Sequence, residues 1–328
     1  MLNTIQSAVL PTVVTFLLGF VAAWRHDFGS KDASILNRMV LVYSVPLALF
    51  AGTVMTSRAE LSQDLPMFAA LCVAIIGLYA AVFLFSRFAL HLRMSASALA
   101  ALVSSAPAVP FVGPGILGDL FGGSSAIPIA IASLVINLTV VPATILFLAL
   151  DSASVDSQGK SLATQDGEHG LHLPRRPSIL AAKLWETIKE PIVWAPVLAF
   201  AVVLSGFQTP QPIVHSLLLL GHASGGVALF ACGIVLASNK IKINRQVLSF
   251  VFLKNIVQPA LVLTGLRLFS YRNPIVSEAV LTTAIPSMPI AIMLALRYGI
   301  SEGDAASTVF LSVIASVITI ALFIALTA

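Results

Sequence analysis

Apolar stretches of about 20 residues recur along nearly the whole chain, and they limit its folding more than any other feature. As helices, stretches of this length can each cross a hydrocarbon core about 30 Å thick. Of the 328 residues, 58% are hydrophobic and 10% are charged, whereas a soluble domain has about 25% charged residues. The sequence therefore predicts an all-α polytopic membrane protein in a lipid bilayer, with spans at 3–24, 35–55, 66–86, 96–121, 124–149, 190–207, 212–237, 246–269, 275–298 and 304–327.

Lysine and arginine residues are distributed unevenly between the predicted loops. The loops after the odd-numbered spans, counted with the span ends beside them, carry 14 of the 18, the other loops and their span ends carry three, and Lys254 lies deeper within a span. Because cytoplasmic loops are enriched in Lys and Arg, we expect the odd loops in the cytoplasm and both termini on the non-cytoplasmic side. Basic loops also account for the net charge of +4 without a nucleic-acid partner.

The spans fall into two halves that resemble each other. We predict a first five-span repeat at 1–150, a polar cytoplasmic linker at 151–185, and a second repeat of opposite orientation at 186–328. A shift of 180 residues places Pro11 on Pro191 and the tetrapeptide Ala-Leu-Phe-Ala at 48–51 on the same tetrapeptide at 228–231. A shift of 179 places Pro-x-x-Pro at 107–110 on Pro-x-x-Pro at 286–289. Matches at nearly one offset indicate an inverted repeat.

The two Pro-x-x-Pro sequences interrupt the fourth and ninth spans. Residues 104–115 read SSAPAVPFVGPG, and proline removes a backbone N–H and clashes with the preceding helical turn. Non-helical backbone at membrane depth is tolerated only where protein or a water-filled cavity surrounds it. Paired interruptions of this kind are typical of the substrate sites of inverted-repeat transporters. Two kinked packing helices are the alternative interpretation.

Three stretches together resemble the auxin efflux carrier family: GPGILGDLFG (113–122), LKNIVQPALVL (253–263), and AIPSMPIAIMLALRYG (284–299) with DAASTVFLSVIASVIT (304–319). The resemblance implies two inverted five-helix repeats in a bile-acid-sodium-symporter-like fold, with broken, crossing helices 4 and 9. Helices 1, 2, 6 and 7 would form a scaffold past which the remaining helices move. It also implies transport of organic acids, with malonate or another short dicarboxylate expected for a bacterial-type member in the cell inner or plasma membrane.

One departure from the family concerns the crossover in the fourth span. Many members have Asn-Ser/Thr-Gly where this chain has Ala108, Val109 and Pro110. Because the amide is missing, we expect greater reliance on backbone dipoles and hydroxyl groups. The candidate substrate-binding residues are Ser104, Ser105, Pro107, Ala108, Val109, Pro110, Asn137, Lys254, Asn255, Gln258, Thr283, Pro286, Ser287 and Pro289.

Lys254 and Asn137 are polar residues within spans, where such groups are costly and often functional. Lys254 either snorkels to the interface, attracts a carboxylate, or occupies the place that a coupling cation takes in the sodium symporters. Asn137 either bonds a neighbouring helix or contacts substrate or an ion. Tyr43 and Ser44, just before Pro46, are expected to face the site from the scaffold. The acidic residues Asp119 and Glu278 are expected at the membrane interface.

The expected function is secondary transport of a small organic anion by elevator-like alternating access. No cofactor or metal is expected, and coupling to Na⁺ or H⁺ stays open. Alternatives on the same fold are an auxin-like monocarboxylate exporter and a sodium-coupled symporter. An enzyme is not expected, because the sequence lacks H-E-x-x-H and a pair of mid-membrane aspartates, and ATP-driven transport is not expected, because it lacks the phosphate-binding loop G-x-x-x-x-G-K-[ST]. An intramembrane enzyme and a channel or sensor are more distant alternatives, and a second copy of the chain is a candidate partner.

Overall fold

The computed structural model describes residues 2–55, 65–163, 189, 191–207, 209–238 and 241–328. Regular secondary structure in these residues is helical apart from one isolated β-bridge. The helices are α1 (Leu2–Trp24), α2 (Ser30–Val54), α3 (Leu65–Ala89), α4 (Met94–Ser105), α5 (Val109–Phe121), α6 (126–163), α7 (Pro191–Ser205), α8 (Gln211–Ser238), α9 (Arg245–Leu268), α10 (Ile275–Ala284), α11 (Ile290–Tyr298) and α12 (Glu302–Thr327).

Among the described residues, six helical stretches are long and apolar enough to cross a membrane: Ser30–Val54, Leu65–Ala89, Gly115–Ser152, Gln211–Ser238, Arg245–Leu268 and Glu302–Thr327. Four shorter apolar helices accompany them, at Leu10–Trp24, Met94–Ser105, Pro191–Ser205 and Ile275–Ala284. The predicted linker is partly helical, because α6 continues to Ala163. Its remainder, 164–185, lies outside the described residues.

Several long helices widen into a π-helical turn just before a proline. These turns are Val40–Ser44 before Pro46, Ile136–Val140 before Pro142, and Leu253–Val257 before Pro259. A proline ring clashes with the carbonyl one turn earlier in a regular helix, and a π-turn relieves that crowding by local rearrangement of the hydrogen bonds. Ser44, Asn137, Lys254 and Asn255 all lie in these turns, so these polar residues inside the spans stand just before the prolines.

Helices α1 and α8 pack closely along two glycines. A Cβ atom at Gly19 would overlap the backbone carbonyl of Phe230, and one at Gly233 would overlap the carbonyl of Phe16. Helices α2 and α7 join this pair, since α2 contacts both α7 and α8. The four helices are those to which the resemblance assigns a scaffold role. The remaining helices pack mainly among themselves, with α4 against α3 and α6, and α10 against α9 and α12.

Candidate functional site

The two interrupted segments meet in the interior of the protein. Helix α4 ends at Ser105 and α5 begins at Val109, while α10 ends at Ala284 and α11 begins at Ile290. Pro107 and Ser287 form the isolated antiparallel bridge. The N–H of Ala108 donates to Pro286 O at 2.8 Å, and the N–H of Met288 donates to Ala106 O at 3.0 Å. We call the segment pair 106–108 and 285–289 the crossover.

Side chains from the second interrupted segment and from α9 satisfy the carbonyls freed at the end of α4. Pro107 has no N–H to offer Val103 O, which instead accepts a hydrogen bond from the Ser287 hydroxyl at 2.7 Å. Ser105 O accepts from Gln258 Nε2 at 2.7 Å, and the same amide nitrogen reaches Ala74 O in α3 at 3.2 Å. Because unpaired buried carbonyls are costly, these contacts explain how the break in α4 persists inside an apolar protein.

Lys254 satisfies the backbone carbonyls that are freed at the end of α10. Its ammonium donates to Thr283 O at 2.6 Å and to Ile285 O at 2.7 Å. The side chain is fully buried, so it does not snorkel to the interface. The C-terminal end of a helix carries partial negative charge that favours a cation. Within the described ranges this ammonium forms no ion pair with a carboxylate, and backbone dipoles provide its immediate stabilisation.

A buried hydroxyl and amide network joins α9, α12 and the crossover. Asn255 Nδ2 donates to Ser312 O at 2.8 Å, and Ser312 Oγ donates to Asn255 Oδ1 at 2.6 Å. Ser312 Oγ in turn accepts from the N–H of Ser287 at 2.9 Å. All three side chains are at most 1% exposed. The network holds the backbone of Ser287 where Pro286 has ended α10, so it positions the crossover.

A cavity of about 670 Å³ adjoins the start of α5. Its walls come from α1, α2, α5, α6 and α8, and it extends from Met55, at the end of α2, to Thr15 and Asn137. Met55 and Ala126 are exposed residues of this wall on the side where α1, α6 and α8 begin and α2 ends, and we call this side the mouth of the cavity. The cavity therefore lies between the packed helices α1, α2 and α8 on one side and α5, the half-helix that begins at the crossover, on the other.

The cavity wall is apolar with a few polar groups. Its polar side chains belong to Thr12, Thr15, Ser133, Asn137 and Ser224, and the described residues lining it include no Lys, Arg, His, Asp or Glu. Asn137 is 2% exposed, and its carbonyl oxygen has no hydrogen-bond partner within the described residues. Helix α5 presents the positive end of its dipole nearby, although the N–H groups of Phe111 and Val112 already bond to Ala108 O.

The structure brings most of the predicted site residues together at the crossover. Ser105, Pro107, Ala108, Lys254, Asn255, Gln258, Thr283, Pro286 and Ser287 take part through the contacts above. Val109 and Pro289 flank the crossover at the starts of α5 and α11, and Ser104 is buried in the last turn of α4. Pro110 and Asn137 lie in the cavity wall instead. Ser44 is buried on α2, whereas Tyr43 is exposed and is not among the residues that line the cavity.

The structure adds burial and a helix contact to the expectation for Glu278. This residue is only 5% exposed, and its Oε1 accepts a hydrogen bond from the Ser124 hydroxyl at 2.6 Å. Ser124 belongs to the 3₁₀ turn Gly122–Ser125 that connects α5 to α6. Glu278 therefore ties α10 to the end of the other broken helix. A carboxylate one turn from a helix start is ordinary at an interface, so the sequence carried no signal for its burial.

Several residues of the site are not evident from the sequence. Ser312 lies in a stretch that carries the family resemblance, but it is one of several small polar residues there. Thr12, Thr15 and Ser133 line the cavity from helices α1 and α6, and single hydroxyl residues are common in apolar helices. Within the described ranges, no group of three His, Cys, Asp or Glu side chains could hold a metal ion.

Comparison with known proteins identifies transporters over the full length of the chain. A family model described as "Membrane transport protein" matches residues 4–324. The "Uncharacterized transporter YfdV" of Escherichia coli (strain K12) is 29% identical, over 99% of this chain and 98% of that protein. The "Putative malonate transporter" of Rhizobium meliloti (strain 1021) is 24% identical, over 96% of this chain and 93% of that protein.

Proposed function

Since the chain belongs to the membrane transport protein family, which is the auxin efflux carrier family, and is a multi-pass membrane protein, we propose that it is a secondary carrier of a small organic anion. The observation that carries this proposal is the cavity against the crossover, which the scaffold helices α1, α2 and α8 and the half-helix α5 line together. A site shared by two packing groups can change its access when one group moves against the other.

The chemistry of the cavity suits a carboxylate of modest charge. The amide of Asn137 and the hydroxyls of Thr12, Ser133 and Ser224 supply neutral hydrogen-bond donors, whereas the Thr15 hydroxyl donates to Pro11 O at 2.7 Å. The positive end of α5 adds a favourable dipole, while the apolar wall accommodates a short carbon chain. Because the described lining contains no cationic side chain, binding depends on dipoles and hydroxyls, as expected from the missing amide at position 108.

We propose malonate or another short dicarboxylate as the substrate. Support comes from the Rhizobium meliloti relative, whose name refers to malonate, and from the small polar set in the cavity. A monocarboxylate with a larger apolar body is the alternative that the same wall would accept. Competition between acids of different length and charge distinguishes the two.

The position of Lys254 favours transport that does not need sodium. Its ammonium occupies the carbonyl-lined end of α10, at 2.6 Å and 2.7 Å from two backbone oxygens. Carbonyls at the end of an interrupted helix are the groups that coordinate a coupling cation in many transporters. We propose that the lysine supplies this positive charge in place of a coupling cation, and a sodium-coupled symporter is the alternative.

The crossover bridge supports the inverted repeat. An offset of 180 residues pairs Ala108 with Met288 and Ala106 with Pro286. The N–H of Ala108 donates to Pro286 O, and the N–H of Met288 donates to Ala106 O, so the two hydrogen bonds are exchanged as a local two-fold axis requires. We propose two inverted five-helix repeats, with both termini on the non-cytoplasmic side of the cell membrane. In this orientation the mouth of the cavity faces away from the cytoplasm.

The proposed function is tested by uptake of radiolabelled malonate into proteoliposomes that contain the purified protein. We expect saturable uptake that unlabelled malonate, malate or succinate reduces and that is unchanged when potassium replaces sodium. Competition by indole-3-acetate or acetate alone would favour the monocarboxylate alternative. Absence of uptake for every acid would refute an organic-anion carrier.

Variants of the cavity wall make the test specific. Asn137→Leu removes the buried amide at similar volume, and a hydrogen bond to a charged group is worth about 1.5–3 kcal/mol. We therefore expect KM for malonate to rise about tenfold or more. Ser86→Ala is the matched control, because Ser86 is buried in α3 outside the cavity wall. Equal effects of the two substitutions would contradict a binding role for Asn137.

A further inference from the structure

Ser44 and Ser224 occupy equivalent positions in α2 and α8. Each stands four residues before the tetrapeptide Ala-Leu-Phe-Ala, so a shift of 180 residues places one serine on the other. The same shift exchanges the two backbone hydrogen bonds of the crossover. The serines are therefore related by the symmetry that relates the two halves of the site.

Neither hydroxyl has a hydrogen-bond partner among the described residues, although Ser44 is 0% exposed and Ser224 is 1% exposed. A serine inside a helix usually bonds the carbonyl one turn earlier, as Ser105 does with Ala101 O at 2.7 Å. A buried hydroxyl without a partner costs about 1–3 kcal/mol. Two such groups at equivalent positions are explained if each meets a ligand during part of the transport cycle.

Ser224 lies in the wall of the cavity together with its neighbours Gly221 and Gly225. An added Cβ at Gly225 would lie 3.0 Å from the Phe111 ring, and one at Gly221 would lie 3.0 Å from Ala48. These glycines bring α8 close to both α5 and α2. The Ser224 hydroxyl is therefore on the side of α8 that a bound substrate would touch.

Ser44 lies along the same face of α2, one step beyond the floor of the cavity. Residues four and seven apart share a helix face, so Ser44 follows Ala48 and Gly52, which both line the cavity. Asn37 lies on the other side of the π-turn Val40–Ser44, and its amide nitrogen donates to Met293 O of α11 at 2.9 Å. Helix α2 thus runs from the open cavity, past Ser44, to a closed contact with the second broken helix.

We propose that Ser224 and Ser44 are a symmetric pair of substrate-contacting residues. Ser224 donates a hydrogen bond to a carboxylate oxygen in the conformation described here. Ser44 does so in the opposite conformation, after α11 has separated from Asn37 and opened the other side. This inference rests on the proposed organic-anion transport, and neutral donors at both sites would allow the anion to bind and leave from either side.

Cysteine accessibility tests the pair directly. We would label Ser224→Cys and Ser44→Cys with a membrane-impermeant cationic methanethiosulfonate, in vesicles of each orientation, and identify labelled peptides by mass spectrometry. Peptide identification separates these sites from the native Cys72 and Cys232. We expect Ser224→Cys to react from the side on which α1 begins and Ser44→Cys only from the opposite side. Ser97→Cys is the matched control, because Ser97 is equally buried and its hydroxyl also has no described partner.

The outcomes separate the pair from the proposed substrate. If each cysteine is labelled from its expected side and malonate slows that labelling at least threefold, the result supports both the serine pair and the organic-anion substrate. The same labelling without protection by any acid supports the pair as path-lining residues and contradicts the proposed function. Failure of Ser44→Cys to react from the opposite side, or equal labelling of Ser97→Cys, would overturn the inference.

Alanine substitutions provide a readout that a structural role would not give. Because neither hydroxyl has a described partner, Ser44→Ala and Ser224→Ala should leave the melting temperature unchanged or raise it. Each should nevertheless raise KM for malonate about fivefold or more. A lower melting temperature with unchanged KM would assign both serines to packing and overturn the proposal.

Discussion

Substitution of Ser287 by alanine tests whether side chains hold the crossover together. The Ser287 hydroxyl donates to Val103 O at 2.7 Å, the carbonyl that residue 107 would bond in a continuous helix. Because Pro107 has no N–H, Ser287→Ala leaves this buried carbonyl without that donor. The backbone bond from Ser287 to Ser312 Oγ at 2.9 Å does not need the hydroxyl and is expected to remain.

The size of the effect follows from the burial of both partners. Val103 is 2% exposed and Ser287 is 1% exposed, so water cannot replace the lost donor without rearrangement. A buried acceptor left unpaired costs about 1–3 kcal/mol, whereas interhelical side-chain bonds in membrane proteins average about 0.6 kcal/mol with a maximum near 1.7 kcal/mol. We expect a loss of about 1–2 kcal/mol in the free energy of unfolding.

The measurement is a titration of the detergent-purified protein with sodium dodecyl sulfate, followed by tryptophan fluorescence. Ser86→Ala is the matched control, because Ser86 is also 1% exposed and its hydroxyl has no partner in the described part of the chain. We expect the control to unfold at the wild-type midpoint or slightly above it. Equal destabilisation of the two variants, or none for Ser287→Ala, would refute this account of the crossover.

The remaining predictions concern the prolines, the buried lysine and a helix contact. Pro107→Ala or Pro286→Ala should lower malonate uptake with little loss of folded protein, because a restored N–H lets the helix close across its break; unchanged uptake in both variants would contradict the role of the breaks. Lys254→Ala should abolish uptake, because it leaves Thr283 O and Ile285 O without their donor. If sodium can then occupy this position, sodium chloride, but not potassium chloride, should raise the melting temperature of this variant and not that of the wild type. Gly233→Ala should lower the free energy of unfolding by about 3 kcal/mol or more, because the added Cβ would overlap Phe16 O. Gly265→Ala is the control: nothing lies within 4 Å of its added Cβ, so it should be neutral or stabilising in the same unfolding titration.

Local chemistry explains the features that the sequence could predict. Apolar runs of spanning length predict membrane helices, because backbone groups in lipid must bond within their own segment. The Pro-x-x-Pro sequences predict interruptions at 107–110 and 286–289, since a missing N–H acts wherever the proline lies. The positions of the breaks are confirmed, with α4 ending at Ser105 and α10 at Ala284. Membership of the transporter family is likewise evident from the motifs.

Only the tertiary structure decided which groups meet at these breaks. The sequence marked Lys254 as unusual, but the approach of α9 to α10 directs its ammonium to Thr283 O and Ile285 O rather than to the cavity. Ser312, Glu278 and the cavity hydroxyls carried no local signal, because their roles depend on helices distant in the chain. Sequence periodicity fixes which residues can form a helix, whereas the partner of a buried polar group depends on how the helices pack.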